Sequence, residues 1–192
     1  GDRFVTGSIA EPKNLIPILA SDGSSAAIVG LVFNGLIKYN EKIELTGDLA
    51  ERWSIEKEGL EITFHLRKNV RWQDGAPFTS DDVLFTYQKL IDPSIKTPYS
   101  GDFERVERLE KIDSHTVKVI YKEPFSPGLA SWGMPMMPKH LLEKEDFNKS
   151  SFSRHPVGTG PYRFKRWESA QFVELIANPD YFEGRPYIDG YL

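Results

Sequence analysis

The sequence predicts an α+β fold: mixed sheets built largely of hairpins, with a few short helices. Three observations carry that expectation. Residues 60–67 alternate strictly between apolar and polar side chains. Two later pairs of apolar runs, within 106–121 and 162–177, flank short polar turns. Helical spacing of apolar residues appears only in windows of about three turns.

Phe4 to Ile9 reads as a short buried strand that runs into the turn cluster Glu11-Pro12-Lys13-Asn14. Ser21, Asp22 and Ser24 offer N-caps for an apolar helix over Ala26 to Phe33, which Gly35 would stop. Leu36 to Tyr39 and Ile43 to Leu45 flank the polar turn Asn40-Glu41-Lys42. Trp53-Ser54-Ile55 alternates, and Glu58-Gly59 turns the chain. Leu60, Ile62, Phe64 and Leu66 then alternate with Glu61, Thr63, His65 and Arg67, which predicts one buried face and one wet face.

Asp74-Gly75 marks a tight turn. Thr79 with Asp82 three residues on resembles a capping box, opening a helix from about Ser80 to Ile91 that Pro93 ends. Residues 94–103 read as loop. Val106 to Ile112 and Thr116 to Tyr121 form a second hairpin around Asp113-Ser114-His115. Pro124, Pro127, Gly133, Pro135 and Pro138 break the chain repeatedly before a short helix, His140 to Lys144. Asp146 to His155 is polar and expected to be exposed. Tyr162 to Lys165 and Phe172 to Ala177 make a third hairpin, and the tail from Asn178 carries no obvious element.

The 192 residues suffice for one large domain or two small lobes. The formal charge is −4, which argues against a nucleic-acid partner, since phosphate binding requires a basic face. No run approaches the ~18 consecutive apolar residues of a membrane span. Cysteine is absent, which excludes disulfides, thiolate zinc sites and cysteine nucleophiles. No signal-peptide pattern is read in the residues before Phe4, so the expectation is either a cytoplasmic protein or one whose leader has been removed.

No catalytic motif emerges. The four histidines, His65, His115, His140 and His155, show no HExxH spacing, and no metal or other cofactor is expected. Gly158-Thr159-Gly160 lacks the spacing and the lysine of a phosphate loop, and Pro161 removes a backbone donor. No GxSxG elbow occurs. Glu56, Glu58 and Glu61, like Glu104, Glu107 and Glu110, read as solvated faces. Trp53, Trp72 and Trp167 read as core and sheet packing. Trp132 differs, because it lies in a proline-interrupted apolar loop, 129–137, that holds all three methionines. Loops carry binding residues, and methionine adapts to varied apolar partners.

Several ordered segments together resemble the family 5 extracellular solute-binding proteins of ABC importers, which include oligopeptide and dipeptide receptors. They are Glu11-Pro12-Lys13-Asn14-Leu15-Ile16-Pro17, Leu49-Ala50-Glu51-Arg52-Trp53, and the block from Ile62 through His65-Leu66-Arg67, Trp72, Asp74-Gly75 and Pro77 to Thr79 and Val83. Gly158-Thr159-Gly160-Pro161-Tyr162 and Asn178-Pro179-Asp180-Tyr181-Phe182 complete the set, with Phe182 where the family pattern has tryptophan. Family members are more than twice as long.

The resemblance implies an N-terminal fragment holding most of the first lobe of a periplasmic-binding-protein-like fold, without the second lobe. Residues 1–39 and 156–192 would form a cleft-edge subregion, and residues 40–155 a hairpin-and-helix subregion. It further implies an extracytoplasmic, non-enzymatic receptor, monomeric when intact, that closes on a peptide and docks on membrane permease subunits. By position, Ser8, Ile9, Ala10 and Glu11, with Trp132, Gly133, Met134 and Met136, are the expected ligand-binding residues. Nickel, haem or oligosaccharide cargo remains open within that family. A small hydrolase with paired carboxylates and a stand-alone interaction module are the readings outside it.

Overall fold

The computed structural model describes residues 2–192. In chain order the strands and helices are β1 (Arg3–Phe4), α1 (Gly23–Val32), β2 (Ile37–Tyr39), β3 (Leu45–Gly47), β4 (Ala50–Glu56), β5 (Glu61–Leu66), α2 (Ser80–Leu90) and α3 (Ser100–Phe103). They continue with β6 (Val106–Asp113), β7 (Thr116–Tyr121), α4 (Gly128–Ser131), α5 (Lys139–Leu142), β8 (Tyr162–Glu168), β9 (Phe172–Ala177) and β10 (Gly190–Tyr191).

Three sheets organise these elements. One is antiparallel, in the order β4-β5-β7-β6, and a second is the β2-β3 hairpin. The third gathers both ends of the chain in the order β1-β10-β9-β8, with β1 parallel to β10 and the other pairs antiparallel. One continuous core joins the sheets and helices, with Trp72, Trp132, Phe64 and Phe78 its largest fully buried side chains.

Local sequence explains both longer helices. Asp22 caps α1 by accepting the Ser25 amide N–H. At α2 the Thr79–Asp82 capping box is complete, and Asp81 and Asp82 place negative charge at the positive end of the helix dipole. Asp82 also accepts the Trp72 indole N–H at 3.2 Å and the Lys139 amide at 3.0 Å, so the cap fastens three segments together. Burial raises the Asp82 pKa against these hydrogen bonds.

Several expectations are corrected. The expected buried strand over Phe4 to Ile9 is only the pair Arg3–Phe4, and Phe4, Val5 and Ile9 are exposed. Its partner β10 is two residues long, so past Phe4 one backbone bond, Thr6 to Leu192, extends the pairing. In β5 the wet face holds a buried carboxylate: Glu61 meets Lys57 at 2.5 Å and Lys118 at 2.8 Å. These lysines, Lys118 first, hold its carboxyl below the usual range. Within Asp146 to His155, Phe147 and Phe152 are buried, because their rings pack on Phe85 and Phe33. Helical turns α3 and α4 occupy stretches read as loop, α5 starts at Lys139, and the tail contributes β10.

Candidate functional site

A groove of about 1080 Å³ opens on the surface where three segments meet. They are the irregular stretch 5–12, one face of α1 from Gly23 to Leu31, and the sheet formed by the end of β8, β9 and the chain end at Tyr191 and Leu192. Ile28, Leu31, Phe172 and Val173 give it an apolar lining, and its charged lining residues are Glu11, Asp22 and Glu168, all acidic. Such a mostly apolar concavity with a few placed polar groups suits a small ligand or an extended chain.

Side-chain hydrogen bonds hold the irregular stretch in place. The Ser8 and Ser24 hydroxyls lie 2.5 Å apart, each within hydrogen-bond distance of the Ala10 carbonyl, so that one hydroxyl donates to the other and the second donates to that carbonyl. The Ser25 hydroxyl accepts the Lys13 and Asn14 amides and donates to Asp22. The Trp167 indole N–H donates to Glu11 Oε1 at 2.7 Å. That bond is the leading reason the Glu11 carboxyl sits below its usual pKa. Among the described residues, the main-chain groups of Gly7, Ser8 and Ile9 have no main-chain partner.

The structure thus brings Ser8, Ile9, Ala10 and Glu11 to the groove and leaves the other four expected residues elsewhere. Trp132 is fully buried, so its expected ligand-facing role is corrected. Its indole donates to the Tyr121 hydroxyl at 3.0 Å, and its ring meets Phe103 edge-on at 5.2 Å. Burial pushes the Tyr121 phenol up to about 12. Met136 is likewise buried, its amide bonded to the Asn34 carbonyl. Gly133 is exposed, with its backbone packed so closely on Gly35 that a Cβ there would stand 2.4 Å from the Gly133 oxygen. Met134 lines a separate pocket of about 320 Å³ with Tyr99, Asp102 and Ser131. The apolar, methionine-rich sequence of this loop reflects core filling.

The reading of residues missed Ser24 and Ala27 of α1 and Phe172 and Tyr191 of the sheet, and it assigned Trp167 to sheet packing. Trp167 lines the groove because an irregularity in the β8–β9 register between Phe164 and Arg166 shifts the alternation.

The glycine motif is structural. A Cβ on Gly158 would stand 1.8 Å from the Val32 carbonyl oxygen, and the Gly160 amide donates to that oxygen at 2.8 Å. Thr159 donates to Asn34, which donates to Asp48 and to the Tyr181 hydroxyl. Gln73 accepts from the Gly158 amide and donates to the Tyr162 carbonyl, and Asn178 donates to the Gly160 carbonyl. The quoted motifs around Gln73, Gly158 and Asn178 therefore meet in one polar knot behind α1. Burial pushes the Asp48 carboxyl in it up to about 6.

Comparison with known proteins places these features. The family model described as bacterial extracellular solute-binding proteins, family 5, matches residues 44–191. The "Oligopeptide-binding protein AppA" of Bacillus subtilis is 34% identical over 98% of this chain and 36% of its own. The solved structure of that protein, "in complex with a nonapeptide", superposes with a TM-score of 0.91 at 32% identity over 98% of this chain and 39% of its own. NikZ from Campylobacter jejuni, "in complex with Ni(L-His)", gives a TM-score of 0.90 at 32% identity, over 98% of this chain and 38% of its own. The chain thus spans little more than a third of the length of these relatives.

Proposed function

The chain belongs to the bacterial extracellular solute-binding proteins of family 5, and we propose that it forms one wall of the cargo cleft in a peptide receptor serving an ABC importer. The observation that carries this reading is the groove between the 5–12 stretch, α1 and the β8–β9 hairpin, in a chain this similar to an oligopeptide-binding protein.

The groove's chemistry suits peptides of varied sequence. Unpaired main-chain groups at Gly7 to Ile9 are available for strand-like pairing with a peptide backbone. The apolar lining from α1 and β9 tolerates many side chains. Ser8, Ile9, Ala10 and Glu11 form the wall on which cargo lies. A second lobe, supplied by the remaining length that relatives have, would close over it, and cargo touching both lobes would shift the open–closed equilibrium. The closed receptor, extracytoplasmic and monomeric, would then dock on membrane permease subunits. No chemical step is involved in this role.

Calorimetric titration of the intact protein tests the reading. Saturable heats with peptides of three to nine residues are expected. Saturation by nickel–histidine or an oligosaccharide, with no response to any peptide, would replace the cargo.

A further inference from the structure

We propose that Glu11, Trp167 and Arg154 form a clasp that sets the shape of the groove, with Trp167 and Arg154 acting as positioning residues for cargo binding; this rests on the reading of the groove as a cargo cleft.

The stretch 5–12 needs such a clasp because its strand pairing ends early. Past Phe4 its ties to the body include one backbone bond from Thr6, the contacts of the Ser24 hydroxyl with Ser8 and the Ala10 carbonyl, and the Glu11–Trp167 bond. The third tie reaches across 156 residues of sequence to the end of β8. It is itself braced. The Arg154 guanidinium lies 3.8 Å from the centre of the Trp167 ring, and its Nη2 donates to the Ser169 hydroxyl at 2.8 Å. Ser169 sits in the β8–β9 turn, where Ala170 adopts a left-handed backbone at φ 59°.

The chemistry of Glu11 points to fastening. An ionised carboxylate only accepts hydrogen bonds. This one takes the Trp167 N–H, with the Ala170 amide, the Ser169 hydroxyl and the Arg154 charge acting on it in the same sense. All four come from the protein. Glu11 is therefore held by the β8–β9 turn, and what it gives the cargo is a fixed main-chain wall at residues 7–10.

The test uses the intact protein with three alanine-based peptides of one length, bearing lysine, glutamine or glutamate at a single position. Glu11→Ala and Trp167→Phe should each weaken all three peptides about five- to tenfold. The double variant should be no weaker than the worse single one. Glu11→Gln, whose amide oxygen still accepts the indole N–H, should recover most of the loss. In the cargo-free protein, both disrupting variants should speed hydrogen exchange at Thr6 and Ala10. Loss confined to the lysine peptide in Glu11→Ala, with Trp167→Phe unaffected, would make Glu11 a direct cargo contact and overturn the clasp. If the wild type binds none of the peptides, the cargo reading fails, and the exchange result alone decides: unchanged protection in Trp167→Phe overturns the clasp, and lost protection sustains it.

Discussion

Gly158 lies against Val32 so closely that a Cβ would stand 1.8 Å from the Val32 carbonyl oxygen. The obstacle is backbone at the end of α1, which cannot rotate aside. Gly158→Ala should therefore destabilise the chain by at least about 2 kcal/mol, as overpacking against a fixed neighbour does. Urea unfolding measures this, and a wild-type midpoint would refute the account of the motif as a packing device.

Asp48 makes stability depend on pH in an unusual direction. Its folded pKa is raised to about 6 by burial, with Lys38, 3.8 Å away, and Asn34 opposing. The unfolded value is near 3.9. The folded state therefore holds the proton more tightly, so this contribution is greatest below about pH 4 and falls as pH rises to about 6. The span amounts to about 3 kcal/mol at most. Asp48→Asn should remove this component. Unfolding free energies at pH 4 and pH 7 should show the variant gaining on the wild type as pH rises; a constant difference would contradict the shift.

Glu174 behaves in the opposite sense. It is buried in β9 and meets Arg166 at 2.7 Å, Lys165 at 3.0 Å and Arg3 at 3.0 Å. Arg166 and Lys165 hold its carboxyl below the usual range. The stabilisation is present above the unfolded pKa of about 4.3 and is lost as pH falls through the lower folded value. Glu174→Gln should lower stability at pH 7 by about 1–3 kcal/mol and flatten the acid limb of unfolding. An unaltered acid limb would count against it.

Trp132 separates core from site. Trp132→Ala should cost about 3–5 kcal/mol of stability through the cavity it leaves, and Trp132→Phe less. At temperatures where Trp132→Phe remains folded, peptide affinity in the intact protein should equal that of the wild type. A selective loss of affinity would return the 132–136 loop to the cargo site.

What the sequence discloses follows the range of the interactions involved. The Thr79–Asp82 box and the alternation through Ile62, Phe64 and Leu66 are fixed by neighbours in the chain, and both appear in the structure as read. The hairpins of β6–β7 and β8–β9 are legible for the same reason. Trp132 was misjudged because its burial is set by Phe64, Tyr87, Phe103 and Tyr121, which the sequence does not place together. Phe4 to Ile9 was misjudged because an apolar run does not reveal whether a layer covers it. Of the groove, only Ser8 to Glu11 were anticipated, through family resemblance; Trp167 was hidden by the register irregularity before it, and α1 by being read only as a packed helix.

The most direct test of the groove as a cargo cleft is photo-crosslinking of the intact protein with a benzophenone-bearing peptide, followed by mapping of the labelled residues by mass spectrometry. Labels on Ser8 to Ala10, on the first turns of α1 and around Phe172 are the predicted result. Labels confined to the separate pocket at Met134, or none within residues 1–192 while the peptide is bound, would contradict it.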